Sequence, residues 1–173
     1  RPSKIVCVGR SYAEHAQELG NAIPDSPVLF IKPPSSLISL EDGITWNKNL
    51  GNLHHECELT LRLDQPLKNE TDPQKALEAI GAVTLGLDLT LRDLQDSLKK
   101  KGHPWERSKA FDGACVLADW VDVSEVKTWD AITFDFKVND QVRQKGDTAL
   151  LLFSIAHLLC DISQSFSLEV GDV

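Results

Sequence analysis

The segment Glu56-Cys57-Glu58-Leu59-Thr60-Leu61-Arg62-Leu63 decides the fold, because its apolar and polar residues alternate without interruption. Successive side chains of a β-strand point to opposite faces, so the alternation predicts a strand with one apolar and one polar face. The apolar face is expected to join the core. The polar face then carries Glu56 and Glu58 next to each other.

Further strands and a few helices are predicted on both sides of this segment. Strand-like stretches are Ile5 to Val8, Val28 to Lys32, Leu37 to Leu40, Ala82 to Leu89, Ile132 to Val138 and Phe166 to Val170. Helices are predicted from Ser11 to Leu19, from Asp72-Pro73 to Gly81, from Thr90 as the cap to Lys101, and from Asp147 or Thr148 to Ser163. Residues 102–113 are expected to form a loop, and Asn139-Asp140 a hairpin turn. The elements lack strict βαβ alternation, which indicates an α+β, mostly β fold.

Composition bounds the class of protein. The chain has 173 residues, 42% of them hydrophobic, so a single domain spanning residues 1–173 can bury a sizeable core. A net charge of −8 without a basic patch argues against nucleic-acid binding. No apolar run approaches the ~20 residues that cross a bilayer, and no signal peptide is recognisable. We therefore expect a cytoplasmic protein with neither nucleic-acid nor membrane partners.

The sulfur-containing residues add two expectations. Cys7, Cys57, Cys115 and Cys160 are spread along the chain, mostly in apolar surroundings. A chain of this size needs no disulfide to fold, so reduced core thiols are expected. The sequence contains no Met, and we expect it to be a fragment of a longer protein.

The sharpest chemical signal is the pair Glu56 and Glu58. Two carboxylates on one strand face repel each other unless a cation lies between them. Oxygen ligands of this kind suit Mg²⁺, Mn²⁺ or Ca²⁺. Taken alone, the pair is explained more simply by a solvated strand face. A zinc site of His55 and Cys57 is disfavoured, because their side of the strand continues into core leucines.

A third acid, Asp88, ends the apolar stretch of a predicted strand just before a helix. A carboxylate at this place can reach a ligand at the edge of the sheet, or it can cap the helix. Arg92 and Gln95 are three residues apart and share a helix face, which a solvated surface explains equally well.

His15 and Glu18 are also three residues apart, on the first predicted helix. At this spacing the carboxylate can hydrogen-bond the imidazole and raise its basicity, so that the pair can take a proton from water. Most such pairs are only solvated surface groups. Lys32 and Lys109 lie in otherwise uncharged stretches, where a lysine can bind a substrate carboxylate or form a structural ion pair.

Together these segments resemble the fumarylacetoacetate hydrolase family, in particular its short acylpyruvase-type members. The resemblance runs in the family's order along essentially the whole chain. The matching segments are Lys4 to His15, Pro27 to Pro33, His54 to Leu59, Leu87 to Gln95, Pro104-Trp105, Lys109 to Asp112, Val138-Asn139, Arg143-Gln144 and Gly171-Asp172-Val173.

The resemblance implies a rolled, mixed β-sheet, a homodimer and a divalent metal site. It assigns Mg²⁺ or Mn²⁺ to Glu56, Glu58 and Asp88. It assigns catalysis to His15, Glu18 and Lys109, the first two on a lid helix, and substrate binding to Arg10, Lys32, Arg92 and Gln95. Two departures are Ser11, where many members have Asn, and the Thr-Gly-Thr-Pro segment that follows Gly-Asp-Val in the family. The C-terminal part of the family domain is thus expected to be missing.

The activity implied is hydrolysis of a C–C bond in acylpyruvates, the 2,4-dioxo acids, through a metal-stabilised pyruvate enolate. Decarboxylation of oxaloacetate would pass through the same enolate. Isomerisation or decarboxylation of hydroxymuconate-type diacids is an alternative within the family. A metal-stabilised binding domain without catalysis is the alternative outside enzymes.

Overall fold

The structure is a computed structural model that describes residues 1–12 and 24–173. In these residues the strands are β1 (Ile5–Gly9), β2 (Val28–Lys32), β3 (Leu37–Ser39), β4 (Leu53–His54), β5 (Cys57–Leu63), β6 (Ile80–Asp88), β7 (Thr90–Leu91), β8 (Cys115–Leu117), β9 (Val121–Asp122), β10 (Thr133–Val138) and β11 (Gln141–Asp147). The α-helices are α1 (Pro73–Glu78), α2 (Arg92–Lys100), α3 (Glu106–Lys109) and α4 (Ile155–Ser165). Short 3-10 turns lie between several of them.

The central sheet has the order β3-β8-β6-β5, and β9 pairs with the beginning of β6 at Ala82 and Val83. Strands β3 and β8 are parallel, whereas β6 is antiparallel to β5, β8 and β9. Antiparallel pairs β1–β2, β4–β7 and β10–β11 complete the strands of the described residues. This mixed, strand-dominated α+β architecture is the one that the sequence predicts.

The pairing of β5 with β6 determines where the residues next to Cys57 point. Cys57 lies opposite Leu87, and the register continues to Arg62 opposite Ala82 before a bulge. Cys57 and Leu87 are both buried in one apolar cluster with Leu89 and Val116. Because side chains alternate along a strand, the neighbours of Cys57 project to the other side of the sheet.

The main core lies between helices α1 and α4 and the part of the sheet where β5 ends and β6 begins. Its buried members are Leu63, Leu67, Ala76, Ala79, Ile80, Val83, Ile155, Leu159, Ile162 and Leu168. Helix α1 packs on α4 here. None of the helices within residues 1–12 and 24–173 is long and apolar enough to cross a membrane.

Two local predictions are confirmed in detail. Asp72 caps α1 by accepting a hydrogen bond from the Gln74 amide at 2.9 Å, with Pro73 as the first helical residue. Asn139 and Asp140 have φ values of 50° and 62° and connect β10 to β11. Two consecutive residues with positive φ are typical of the tight turn that matches strand twist.

Other boundaries were predicted wrongly. Gly81 does not end a helix but lies within β6, where a Cβ atom would come within 1.9 Å of the Asp64 side chain. Residues 102–113 contain the short helix α3 rather than only a loop. The predicted strand from Phe166 to Val170 is reduced to one bridge between Leu168 and Leu67, because the chain turns directly afterwards.

The two predicted helix caps at Thr90 and Asp147 were also wrong. Thr90 belongs to β7, and α2 begins at Arg92 without a capping side chain. Asp147 caps only a 3-10 turn by accepting from the Ala149 amide, whereas α4 begins later behind Ser154. Thr90 is instead drawn into a buried polar contact.

Candidate active site

Three carboxylates meet where β5 begins and β6 ends. Glu56 and Glu58 flank Cys57 on one face of β5, and the Asp88 amide donates a 2.8 Å hydrogen bond to the Glu56 carbonyl. This register brings one carboxylate oxygen from each acid within 4.8 Å of the other two. The alternation of β5 and the long apolar run of β6 therefore place the three acids together.

The shared location shifts the pKa values of two of these acids in opposite directions. Burial, with the negative charges of Asp88 and Glu56, raises the pKa of Glu58 to about 8. Burial also acts to raise the pKa of Glu56, but Lys109 and Arg92 outweigh it and lower that pKa to about 2. Without a bound cation, Glu58 thus favours its neutral form at pH 7, whereas Glu56 stays ionised.

Lys109 is the cation in closest contact with the cluster. Its Nζ donates to Glu56 Oε2 at 2.9 Å, to Asp88 Oδ2 at 2.5 Å and to Thr90 Oγ1 at 2.6 Å. Burial opposes its charge, but Asp88 and Glu56 raise the pKa of Lys109 above its ordinary value. Its side chain, at the end of α3, therefore stays an ammonium ion at neutral pH.

Lys32 is wholly buried behind the cluster. Its Nζ donates to the carbonyls of Leu89, Lys109 and Ala114, and it lies 2.8 Å from Asp88 Oδ1. An ammonium group has three N–H bonds, and the three carbonyls take them all. Lys32 consequently supplies charge to Asp88 without a well-directed hydrogen bond.

The oxygens that remain fit a divalent cation. Asp88 Oδ1 is buried and accepts no hydrogen bond from the described residues. Lys32 Nζ balances its charge at 2.8 Å, but a buried oxygen that accepts no well-directed hydrogen bond can still ligate a cation. Three carboxylates are also the ligand type that Mg²⁺ and Mn²⁺ prefer. The residues present are therefore suited to hold such an ion.

Helix α2 contributes a second pair of polar groups. Arg92 donates to Gln95 Oε1 at 2.7 Å and forms an ion pair with Glu56. Gln95 is only 3% exposed, so its carboxamide is held in place. The predicted helical spacing thus brings the two side chains into contact.

A cavity of about 750 Å³ opens over the acids. It is lined by the three acids and by Arg10, Lys32, Arg92, Gln95, Lys99, Trp105, Lys109 and Gln144, among others. Partial burial and the cations Arg10 and Arg92 lower the pKa of Lys99. One wall of the cavity is therefore positively charged, which suits an anionic ligand.

Comparison with known proteins decides the family. The family model described as fumarylacetoacetate (FAA) hydrolase C-terminal matches residues 4–173. The chain belongs to the fumarylacetoacetate hydrolase family. Oxaloacetate tautomerase YcgM of Escherichia coli (strain K12) is 41% identical over 173 residues, which are 99% of this chain and 78% of that protein.

Two solved structures of this family share the fold. A fumarylacetoacetate hydrolase family protein from Yersinia pestis CO92 has a TM-score of 0.95 and 38% identity, covering 99% of this chain and 79% of that one. Fumarylpyruvate hydrolase from Pseudomonas aeruginosa, in complex with Mn²⁺ and pyruvate, has a TM-score of 0.87 and 29% identity, covering 98% and 74%.

Most of the site residues predicted from the sequence lie around the same cavity. The three acids, Lys32, Arg92, Gln95 and Lys109 surround the cavity, and Arg10 lines it from the end of β1. Arg10 has a φ of 55°, an uncommon conformation for a non-glycine residue. His15 and Glu18 lie outside the described residues.

Two residues that touch the site have no site role predicted from the sequence. Thr90 was interpreted as a helix cap, but its hydroxyl accepts from Lys109 and donates to the Asp88 carbonyl at 3.1 Å. Gln144 matched the family but had no role, although its carboxamide binds the backbone of Cys57. Neither contact leaves a local signal in the sequence, because each joins distant segments.

Proposed function

We propose that this protein is a divalent-metal-dependent enzyme that interconverts the keto and enol forms of oxaloacetate or a closely similar 2-oxo acid. The observation that carries the proposal is the convergence of Glu56, Glu58 and Asp88, with Asp88 Oδ1 left without a hydrogen-bond donor. The similarity to oxaloacetate tautomerase YcgM supports the choice of substrate. Tautomerisation is a reaction that the sequence analysis did not consider.

In this proposal Glu56, Glu58 and Asp88 hold Mg²⁺ or Mn²⁺. A bound ion of this kind acts as a Lewis acid that stabilises negative charge on a substrate oxygen. The P. aeruginosa relative, solved with Mn²⁺ and pyruvate, supports both the metal and a 2-oxo acid ligand. Metal charge would also remove the mutual repulsion that raises the pKa of Glu58.

The remaining polar residues bind and orient the substrate. Arg92, fixed by its hydrogen bond to Gln95, presents a planar guanidinium that suits a carboxylate. Lys109 keeps its proton because the acids raise its pKa. Its N–H bonds are directed at Glu56, Asp88 and Thr90, so its role is to stabilise the enolate through its positive charge rather than to act as a base.

Tautomerisation needs one proton removed from C3 and one added to the oxygen at C2. We propose His15, made more basic by Glu18, as the group that takes the C3 proton. Arg10 and Lys32 complete the positive side of the site. Lys32 does so from behind Asp88, since its three N–H bonds are already used by backbone carbonyls.

Hydrolysis of acylpyruvates is the second candidate. The similarity to a fumarylpyruvate hydrolase favours it, and the same residues serve it if His15 activates water instead of removing a C3 proton. Decarboxylation of oxaloacetate would require the same enolate without water. The reactions differ in which bond breaks, so one protein can be assayed for all of them.

We further propose the wider setting expected from the sequence. Residues 1–173 act as one catalytic domain, the protein is a homodimer, and it resides in the cytoplasm. The four free cysteines support a reducing compartment.

The test compares metal-stripped protein with protein given Mg²⁺ or Mn²⁺. Loss of the enol form of oxaloacetate is followed by ultraviolet absorbance, and acetylpyruvate cleavage and pyruvate release are measured in parallel. We expect the parent to catalyse tautomerisation only with metal present and to bind Mn²⁺ in calorimetry. Asp88→Asn should abolish both the activity and the binding. Asp119→Asn, an exposed acid outside the cavity, is the matched control.

Three outcomes would contradict the proposal. Enolisation unaffected by metal removal would exclude the metal's role. Turnover of acetylpyruvate alone would favour the hydrolase, and turnover of a hydroxymuconate-type diacid alone would favour the isomerase. Should Asp88→Asn fail to fold, Glu58→Gln replaces it, because that change removes a metal ligand that makes no ion pair with the described residues.

A further inference from the structure

The side chain of Gln144 binds both backbone groups of Cys57, the residue between the two glutamates of the acidic cluster. The Cys57 amide donates to Gln144 Oε1 at 2.8 Å, and Gln144 Nε2 donates to the Cys57 carbonyl. One carboxamide therefore makes the two hydrogen bonds that a neighbouring strand would make at this position.

The backbone of β5 explains why these groups need a partner. Polar groups of successive residues point to alternate edges of a strand, and the Glu56 carbonyl faces β6, where it accepts from the Asp88 amide. The amide and carbonyl of Cys57 hence face the opposite edge. Within residues 1–12 and 24–173, no strand pairs with β5 along that edge.

The β10–β11 hairpin delivers Gln144 to this edge. Gln144 lies opposite Phe136 in the hairpin register, and the Phe136 ring lies 4.8 Å from the ring of His55. The hairpin is thus anchored at two positions, His55 and Cys57, which flank Glu56. Both anchors hold the backbone from which Glu56 projects.

We propose that Gln144 is a positioning residue for metal binding: its carboxamide fixes the backbone at Cys57 and thereby aims Glu56 and Glu58 at one cation. The inference rests on the proposed function, since it concerns the same acids. It adds a residue that makes no hydrogen bond to the acids in the described residues. Gln144 acts on them through the backbone of Cys57.

The physical reason lies in the repulsion between the acids. Two carboxylates that both bind one cation are held close together against their mutual repulsion, and rotation of the Cys57 peptide groups would let them separate. Two hydrogen bonds to those groups oppose the rotation. Residues that orient metal ligands typically change metal affinity by about 10- to 100-fold.

The experiment uses Q144M, which keeps the size of the side chain and its lack of charge but removes both hydrogen bonds. Q141M is the matched control, because Gln141 is exposed on the same strand and its side chain forms no hydrogen bond with the described residues. Mn²⁺ dissociation constants are measured by calorimetry on the full chain, well below each variant's melting temperature. Melting temperatures without metal are recorded alongside.

We expect Q144M to bind Mn²⁺ about 10- to 100-fold more weakly than the parent, with Q141M unchanged. A lower melting temperature with unchanged Mn²⁺ affinity would overturn the proposal, because a merely structural residue behaves in that way. If Q144M does not fold, Q144N serves instead. Its carboxamide is one methylene shorter and cannot reach both groups, so an unchanged Mn²⁺ affinity would again refute the role.

The two proposals fail in different ways. A parent protein that binds no Mn²⁺ refutes the metal-dependent function itself. If the parent and Q144M bind Mn²⁺ with equal affinity, the metal-dependent function stands and only the positioning role of Gln144 is refuted.

Discussion

Lys32 Nζ lies 2.8 Å from Asp88 Oδ1, and the lysine side chain is fully buried. The same ammonium donates to the carbonyls of Leu89, Lys109 and Ala114. These carbonyls belong to three chain segments that meet behind the acidic cluster. Lys32 therefore both balances the charge of Asp88 and ties the floor of the site together.

Replacement of this lysine should be severe. Lys32→Met removes one of the two lysines that pair with Asp88 in the described residues, and breaking a buried ion pair typically costs about 3–5 kcal/mol. Three carbonyls also lose their donor. We expect a large fall in the free energy of unfolding, measured by urea denaturation, with a melting temperature well below that of the parent.

The matched control is Lys145→Met. Lys145 lies 3.6 Å from Asp135, and its side chain is 75% exposed. Exposed ion pairs of this kind contribute about 0–1 kcal/mol, so its unfolding curve should nearly superimpose on that of the parent. Equal losses in the two variants would show that burial of Lys32 has no special energetic consequence.

The fold was predictable where a local pattern decides the structure. The alternation in β5 gave both the strand and the face that carries Glu56 and Glu58, and Asn139-Asp140 gave the hairpin turn. Where contacts between distant segments determine the structure, the local pattern predicted it wrongly. Thr90 has the chemistry of a helix cap, but it pairs with His54 in a strand and its hydroxyl accepts from Lys109.

The site was predictable in its charges but not in its supporting contacts. The resemblance to the family assigned the acids and cations that the fold then gathers around one cavity. It assigned nothing to Gln144, whose partner is 87 residues away in the sequence. The resemblance also offered Lys32 as a substrate ligand, whereas its N–H bonds are directed at backbone carbonyls.

Removal of one acid should separate metal affinity from stability. Glu58→Gln removes a buried acid whose ionisation is opposed by burial and by the negative charges of Asp88 and Glu56, so the metal-free variant should be at least as stable as the parent. Ligand binding stabilises a fold by about 2.7 kcal/mol at 100 times the dissociation constant. Excess Mn²⁺ should therefore raise the melting temperature of the parent strongly and that of Glu58→Gln little, as measured by differential scanning calorimetry.

An exposed acid provides the control for this change. Glu125→Gln alters a glutamate in a surface 3-10 turn and should keep the whole Mn²⁺-induced shift. If Glu58→Gln kept that shift as well, Glu58 would not be a ligand. A marked loss of stability without metal would instead contradict the repulsion argument.

The four cysteines should differ in reactivity from those of an unfolded chain. Burial raises the pKa of Cys57 and of Cys115 to about 11, and that of Cys7 well above its ordinary value. The thiolate is the reactive form, so these three should resist iodoacetamide at pH 8 in the native protein. Cys160 is half-buried and should react first.

Mass spectrometry of labelled peptides measures the order of reaction. In urea all four thiols should be labelled at similar rates, which controls for the reagent. Rapid labelling of Cys57 in the native protein would mean that β5 opens readily at the acidic cluster.

Asp172 should make stability depend on acid pH. It is buried and accepts from the amides of Ser3 and Glu169 at 2.7 and 2.9 Å, and from Lys4 Nζ at 2.5 Å. Burial acts to raise its pKa, but these hydrogen bonds, with that from Lys4 first, lower the pKa to about 2. The carboxylate thus joins the first residues of the chain to the last ones.

The sign follows from the lowered pKa. The ordinary pKa of an aspartate in an unfolded chain is about 3.9, so the folded state favours the ionised form and gains about 2 kcal/mol above that pH. This gain disappears as the pH falls from about 4 to about 2. We expect Asp172→Asn to be less stable than the parent at pH 7, with the difference shrinking through that window.

Urea denaturation at several pH values measures this difference. Asp130→Asn, at an exposed position, is the control and should follow the parent at every pH. A difference between Asp172→Asn and the parent that stayed constant down to pH 2 would mean that Asp172 acts through shape rather than charge. The charge of its ion pair with Lys4 would then contribute nothing to the free energy of unfolding.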